Sequence, residues 1–194
     1  MLTVSNLQRL HIGPVNLRVQ DGEVMAITGP SGAGKSLLLR AIVDLDPNSG
    51  DISTNNMNRA KVSAPIWRRH VAMLPAESGW WQDNVGAHFQ NPAKINTRLT
   101  LVGLPSDALN WQVARLSSGE KHRLALLRCL EHTPEVLLLD EPTAALDPET
   151  TTLVETLLQH LLDDGISILI VTHDLAQITR LNASRRHLQD GALT

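Results

Sequence analysis

The sequence contains no tyrosine, one phenylalanine and one cysteine among its 194 residues. A single cysteine, Cys129, excludes an intrachain disulfide and is typical of proteins that work in a reducing cytosol. No stretch approaches the roughly 20 apolar residues that a membrane-spanning helix needs, and no signal peptide is expected at the start of the chain. The net charge of −3 gives no sign of the basic face that nucleic-acid-binding domains carry, so no nucleic-acid partner is expected.

The remaining composition is that of an ordinary globular domain, with 42% hydrophobic residues. A chain of this length predicts one domain, residues 1–194, built around one core. Apolar runs that predict buried strands alternate with helical patterns, which predicts an α/β fold with a mainly parallel sheet. Within this fold we expect a small antiparallel β part near the N-terminus and an inserted helical lobe at about residues 76–132.

Turn and capping residues assign individual segments. Residues 15–19 and 24–28 flank an Asp-Gly turn. They predict two strands joined in a hairpin-like arrangement. The polar residues 51–62 predict a loop, and Asp83 is expected to cap a short helix that runs through residue 89. Further on, the pattern predicts strands and helices in alternation, at residues 71–74, 118–132, 136–139, 147–163, 166–171 and from Asp174 onward.

One octapeptide carries the strongest functional signal in the sequence. It fits the phosphate-loop pattern, in which a glycine and four further residues precede Gly-Lys-Ser, and it stands between a predicted strand and a predicted helix. Such a loop turns its backbone N–H groups toward phosphate oxygens, and the helix N-terminus adds a positive dipole. The sequence therefore predicts nucleotide binding through Gly29, Pro30, Ser31, Gly32, Ala33, Gly34, Lys35 and Ser36, with Lys35 on the β- and γ-phosphates and Ser36 on Mg²⁺.

A second signal is the run from residue 136 to 142, in which four apolar residues precede Asp140, Glu141 and Pro142. Ligands of parallel α/β sheets bind beyond the carboxyl ends of the strands, which is where these two carboxylates are expected. Asp140 is a candidate to hold Mg²⁺, directly or through water. Glu141 is a candidate to orient or deprotonate an attacking water.

A third signal is the small, hydroxyl-containing start of the helix predicted at residue 118. It comprises Ser117, Ser118, Gly119 and Glu120, 20 residues before Asp140. The free N–H groups of a helix start form an anion site. The same residues are equally consistent with an ordinary serine N-cap. Spacing alone leaves both interpretations open.

These three segments resemble the motifs of ATP-binding cassette (ABC) ATPases, in order and in spacing. Ala145-Leu146-Asp147 and Val171-Thr172-His173-Asp174 complete the resemblance, which extends over nearly the whole chain. It implies a head-to-tail homodimer that traps two ATP molecules, with Mg²⁺, between its subunits. It also implies a role for each matched position: Glu141 as catalytic base, His173 as a switch histidine on the γ-phosphate, Asp147 in the loop that crosses the dimer, and a signature, Ser117, Ser118, Gly119 and Glu120, that meets the partner's ATP.

Three departures from the family pattern affect these expectations. The family's glutamine after the strand at 71–74 is replaced by Ala76, and Glu77 and Gln82 are candidate substitutes out of register. Ser118 stands where glycine is usual. The aromatic ring that stacks on adenine is absent or is replaced by His11, because no other ring precedes the phosphate loop.

Trp80 and Trp81 follow closely after Ala76, in the region where the family docks its transmembrane subunit. In an extended segment adjacent side chains point in opposite directions. At most one of the two is therefore expected in the core of the lobe. Two interpretations remain open: that both tryptophans belong to the lobe core, or that one helps to form the groove that receives a membrane partner.

The resemblance implies the ATPase subunit of an ABC transporter, attached to the cytoplasmic face of the membrane through a transmembrane permease. The run at residues 27–32 is also similar to compact single-cassette components such as the iron-export type. Two alternatives are a soluble ABC ATPase without a transport role and a regulatory switch that hydrolyses ATP slowly. The sequence does not indicate the cargo or the direction of transport.

Overall fold

The computed structural model describes all of residues 1–194. Its strands form two sheets, and their bounds are Leu2–Arg9 (β1), Ile12–Val19 (β2), Val24–Thr28 (β3), Ser49–Thr54 (β4), Val71–Leu74 (β5), Val136–Asp140 (β6), Ser167–Val171 (β7), Ser184–Gln189 (β8) and Ala192–Leu193 (β9). The α-helices are Lys35–Ile42 (α1), Ala64–His70 (α2), Pro92–Asn96 (α3), Ser118–Cys129 (α4), Pro148–Asp163 (α5) and Leu175–Arg180 (α6).

The larger sheet has six strands in the order β5-β6-β7-β3-β8-β9. All neighbours in it are parallel except β8 and β9. The smaller sheet, β2-β1-β4, is antiparallel. The predicted α/β class, with a mainly parallel sheet and an antiparallel N-terminal part, is therefore confirmed.

The central strands are continuous apolar runs because both faces of the large sheet are covered. In β6 all five residues are buried. Leu137 and Leu139 face a core shared with α4 and α5. Leu138 faces the opposite core, which contains α1 and the small sheet. The period-2 alternation of side chains thus divides one strand between two cores.

The register of the large sheet brings three carboxyl ends to one edge. Ile27 of β3 and Asp140 of β6 both lie opposite Val171 of β7. The segments that follow these strands are the phosphate loop, the turn that begins at Glu141 and the turn that contains His173. The motif residues therefore converge because parallel strands end together.

Two of the local predictions are wrong. The expected hairpin does not form, because β2 pairs with β1 whereas β3 lies between β7 and β8 in the other sheet. Residues 51–62 are not all loop, because β4 pairs with β1 at the edge of the small sheet. Ile52 and Thr54 are buried there, and one apolar side chain in a polar edge strand leaves little periodic signal.

The region between β5 and α4 consists of α3 and short 3₁₀ turns, including Val85–His88. Asp83 does not cap that turn, whose N-terminal flanking residue is Asn84 with no side-chain cap. Instead, the Asp83 carbonyl accepts a hydrogen bond from the Val113 amide at 2.8 Å. The buried side chains of this region join the core of α4 and α5. Its limits as a lobe at residues 76–132 remain a prediction.

None of the helices combines the length and apolar character needed to cross a lipid bilayer.

Candidate functional site

The phosphate loop joins β3 to α1, and two of its glycines lie in close contact with neighbouring strands. Gly29 has φ 146°, and a Cβ atom there would lie 2.1 Å from the Leu188 carbonyl oxygen. Gly34 has φ 97°, and its Cβ would lie 2.5 Å from Cδ1 of Ile12. Both positions combine left-handed backbone with close packing, which only glycine tolerates. The neighbouring strands therefore fix the shape of the loop.

The Lys35 side chain folds back over the loop that precedes it. Its Nζ donates hydrogen bonds to the carbonyl oxygens of Gly29, at 2.8 Å, and Pro30, at 2.9 Å. Lys35 is only 8% exposed, so its ammonium group is held at the loop rather than in bulk water. These contacts place a positive charge where the phosphate groups of a nucleotide are expected.

A cavity of about 360 Å³ lies beside this lysine. It brings together most of the predicted nucleotide and catalytic positions, although they come from three distant parts of the sequence. Its lining comprises Ser31, Gly32, Gly34, Lys35, Ser36, Leu37, Ala76, Asp140, Glu141, Val171 and His173.

Glu141 occupies a strained turn directly after β6. Its φ of 53° is in the left-handed region, which non-glycine residues adopt rarely. Its amide donates to the Val171 carbonyl at 2.9 Å, which fixes the turn against β7. Burial raises the pKa of the Glu141 carboxyl above its ordinary value; nearby His173 opposes this rise and the Asp140 carboxylate adds to it. A partly desolvated carboxylate with a raised pKa is suited to accept a proton from water.

His173 faces Glu141 across the cavity, with 3.2 Å between His173 Nε2 and Glu141 Oε1. The imidazole is more than half exposed, whereas Thr172 before it is buried. Asp174 is the N-cap of α6 and accepts a hydrogen bond from the Ala176 amide at 2.8 Å. The backbone around His173 is therefore fixed on both sides, while its ring remains available to a ligand.

Ser36 and Asp140 fit a magnesium ion bound together with a nucleotide. Both line the cavity beside Lys35, and both offer oxygen ligands, which Mg²⁺ prefers. No group of three or more His, Cys, Asp or Glu side chains is arranged to bind a metal. A site with two protein ligands suits Mg²⁺, which usually keeps water and substrate phosphates in its coordination shell.

The signature residues form a capping box at the start of α4. The Ser117 hydroxyl accepts from the Glu120 amide at 3.2 Å, and the Glu120 carboxylate accepts from the Ser117 amide at 2.8 Å. Hydrogen bonding to this amide lowers the pKa of Glu120. The N-cap interpretation is therefore correct for Ser117. It does not exclude an anion site, because the amides of Ser118 and Gly119 have no partner within the helix.

The signature and Asp147 lie outside the cavity that holds the phosphate loop. They lie close to each other, since a Cβ on Gly119 would be 3.1 Å from the Ala145 carbonyl oxygen. Asp147 caps α5 by accepting from the Thr150 amide at 2.9 Å. Within one chain these residues therefore do not line the cavity beside Lys35.

Two of the departures from the family pattern border the nucleotide site. Ala76 lines the cavity with Ser36 and Asp140, whereas neither candidate substitute, Glu77 or Gln82, does. His11 borders a separate cavity of about 240 Å³ with residues 30–33 of the loop. A ring at position 11 is thus available beside the phosphate loop.

The two tryptophans differ in burial, although both rings pack edge-on against His88. Trp80 packs against the core, whereas Trp81 is 67% exposed. The Arg128 guanidinium lies over both rings, 4.8 Å and 5.0 Å from their centroids. His88 Nε2 accepts hydrogen bonds from the amides of Trp81 and Gln82, both at 3.0 Å. The sequence did not single out Arg128 or His88. Arg128 is distant along the chain from the tryptophans, and His88 belongs to no recognisable motif.

Comparisons with known proteins give a consistent result. Residues 12–144 match the family model described as ABC transporter. The chain is 37% identical over 182 residues to an aliphatic sulfonates import ATP-binding protein of Pectobacterium atrosepticum, covering 89% of this chain and 66% of that protein. It is 36% identical over 188 residues to a methionine import ATP-binding protein of Listeria monocytogenes, covering 86% of this chain and 54% of that protein.

Solved structures resemble the fold over its full length. An ATP-binding subunit of an ABC transporter has a TM-score of 0.85 and 26% identity, covering 100% of this chain and 89% of that one. A dimeric bacterial ABC transporter cassette, at 24% identity, shares the fold with a TM-score of 0.79, covering 98% of this chain and 95% of that one. The chain spans between about half and two thirds of the length of the two curated relatives.

Proposed function

This chain belongs to the ABC transporter family, and from that premise we propose that it binds and hydrolyses ATP to drive a separate transmembrane permease. The observation that carries the proposal is the single cavity lined by Lys35, Ser36, Asp140, Glu141 and His173. Phosphate binding, metal binding and a base are the parts that phosphoryl transfer to water requires. Candidate residues for all three lie at one edge of the sheet.

The residues of this cavity divide the reaction between them. Lys35 exchanges its two loop carbonyls for oxygens of the β- and γ-phosphates. Glu141 accepts a proton from the attacking water, and its raised pKa improves the match to that task. His173, 3.2 Å from Glu141, is placed to contact the γ-phosphate. Mg²⁺, held by Ser36 and Asp140, neutralises charge on the phosphate oxygens when it is bound.

A complete site requires a second copy of the chain. Ser117, Ser118, Gly119 and Glu120 do not line the cavity beside Lys35. This signature, through the free amides of Ser118 and Gly119, is proposed to contact the ATP of a partner subunit in a head-to-tail homodimer, with Asp147 in the loop between the subunits. Ser118 adds a hydroxyl group at that contact.

The proposed place of action is the cytoplasmic face of the membrane, to which the permease attaches the chain. The curated relatives are named as import ATP-binding proteins, which favours import as the direction and gives no support to a soluble or purely regulatory role. Those relatives are named for different cargoes, aliphatic sulfonates and methionine, so their names assign no cargo to this chain.

The exposed Trp81 side chain and the groove beside it are the proposed contact with the permease. It lies next to a groove of about 260 Å³ whose largely apolar lining includes Met73, Leu74 and Pro75, together with Arg128. Arg128 also lies over the Trp81 ring, so groove and tryptophan are continuous. Since Ala76 has no polar group to reach the metal site, packing of the exposed tryptophan is expected to carry this contact.

Trp81→Ala is expected to release the protein from membranes of its source organism. Loss of an exposed tryptophan at the centre of an interface costs about 2–4 kcal/mol. ATP hydrolysis by the isolated chain and its melting temperature should stay near wild type. Co-sedimentation with membrane vesicles, hydrolysis and thermal unfolding are measured together.

Two further substitutions serve as controls for this test. Trp80→Ala removes a partly buried side chain that packs against the core and is expected to lower the free energy of unfolding by about 3 kcal/mol. Trp111→Ala removes another lobe tryptophan that carries a stacked arginine, Arg115, at 4.2 Å, and should leave membrane binding intact. Unfolding of the Trp81→Ala protein, or wild-type membrane binding by it, would show that Trp81 is not the permease contact.

A further inference from the structure

A hydrogen-bonded cluster with a buried centre joins α5, α6 and the turn that follows the proposed base. Its centre is the Glu155 carboxylate, which accepts two hydrogen bonds from the Arg180 guanidinium, both at 2.7 Å. Gln177 Nε2 donates to Glu155 at 3.1 Å and to the Thr143 hydroxyl at 2.9 Å. Arg180 also donates to Asp174 at 3.1 Å. We name these five residues the Glu155 cluster.

The two ends of the cluster, Thr143 and Asp174, lie close in sequence to the two proposed catalytic residues. Thr143 is two positions after Glu141 in the same turn. Asp174 directly follows His173 and caps the helix that carries Arg180. The facing groups, Glu141 Oε1 and His173 Nε2, are 3.2 Å apart. The cluster therefore connects the backbone that carries the base to the backbone that carries the histidine, without touching the cavity beside Lys35.

The buried centre of the cluster and its two-point contact make it rigid. Gln177 is fully buried and Glu155 is only 8% exposed, whereas the Arg180 and Asp174 side chains are nearly half exposed. A two-point contact between guanidinium and carboxylate fixes the angle between the groups as well as their distance. A buried carboxylate that loses its donors retains an uncompensated charge, so the arrangement resists partial opening. The middle of α5 and the C-terminal end of α6 are consequently held in one relative orientation.

We propose that Glu155 and Arg180 are positioning residues that hold His173 in register with Glu141 for hydrolysis. This inference rests on the proposed ATPase function. The cluster acts through Asp174 on one side and Thr143 on the other. ATP binding belongs to the phosphate loop, which the cluster does not contact. Loss of the cluster should therefore lower the rate of hydrolysis and leave the affinity for ATP unchanged.

The test is the hydrolysis of Mg-ATP by Arg180→Gln and Glu155→Gln proteins, with kcat and KM measured separately. We expect kcat to fall by roughly 10- to 100-fold, because a displacement of about 1 Å in a reacting geometry costs up to that factor. KM should stay within about twofold of wild type. Arg180→Lys keeps the charge and loses the two-point geometry, so it should fold normally and show an intermediate kcat.

The matched control is Arg40→Gln. Arg40 makes the same two-point contact with a carboxylate, donating to both oxygens of Asp46 at 2.8 Å, on the exposed side of α1. This substitution should leave kcat and KM near wild type. If Arg40→Gln lowers kcat as much as Arg180→Gln does, the loss would follow from removing any arginine–carboxylate contact. That result would overturn the proposal.

A double substitution identifies the residue through which the cluster acts. In a His173→Ala background, Arg180→Gln should cause little further loss of kcat, because the positioned group is already absent. An equal fold-loss in both backgrounds would overturn the proposal, as would wild-type kcat in the Arg180→Lys and Arg180→Gln proteins. Absence of hydrolysis by the wild-type chain in the same assay would instead contradict the ATPase function itself.

Discussion

The Glu141→Gln protein is expected to bind Mg-ATP and to hydrolyse it roughly 10²–10⁴ times more slowly than the wild-type chain. Glutamine keeps the shape and hydrogen-bonding reach of the side chain and cannot accept the proton from water. The backbone strain at φ 53° is the same for both residues, so the comparison isolates the carboxylate. Phosphate release under steady-state conditions measures the effect.

The same substitution should make ATP-bound dimers accumulate, because the nucleotide that closes the dimer is no longer consumed. Size-exclusion chromatography with and without Mg-ATP detects them. Asp163→Asn serves as the matched control, since it neutralises an exposed carboxylate at the far end of α5. Turnover within a few-fold of wild type in the Glu141→Gln protein would mean that another group is the base.

A mixture of two inactive proteins, Lys35→Ala and Ser117→Arg, is expected to regain activity. The first loses the phosphate-binding ammonium, and the second places a large side chain at the start of α4. In a head-to-tail dimer formed from one of each, one site has both defects and the other has none. If equal amounts of the two proteins pair at random, about half of the dimers are mixed and have one intact site, so activity should reach about a quarter of the wild-type value.

A second readout removes any dependence on cooperation between the two sites. With Glu141→Gln added to both proteins, the heterodimer should trap one ATP molecule, whereas either protein alone should trap none. Ser117→Ala controls for the loss of the N-cap, which costs about 1 kcal/mol without adding bulk. If the heterodimer traps no nucleotide, the sites are not shared between subunits.

Much of this site could be predicted because each motif is contiguous and lies next to a strand end. The apolar run before Gly29 and the run before Asp140 are buried strands that the sequence identifies by composition alone. Parallel pairing then brings their ends together. The same rule places Glu141 and His173 at the edge of the large sheet where the carboxyl ends of its parallel strands meet.

The errors and omissions have a common physical origin in contacts between distant residues. The Asp21-Gly22 turn predicts a reversal of the chain, which occurs, but it cannot show that the flanking strands enter different sheets. Glu155 and Arg180 are 25 positions apart and follow no motif, so only the packing of α5 against α6 shows their pairing. Asp83 is a good capping residue whose segment is held instead by the backbone of Val113.

The most direct test of the proposed function is the hydrolysis of Mg-ATP by the purified wild-type chain beside a Lys35→Ala chain purified identically. The cavity that joins the phosphate loop to Glu141 predicts phosphate release by the wild-type protein alone. It also predicts that the Lys35→Ala protein loses ATP binding, measured by calorimetry, along with hydrolysis. Equal hydrolysis by both proteins, or neither binding nor hydrolysis by the wild-type chain, would contradict the assignment of this site as an ATPase centre.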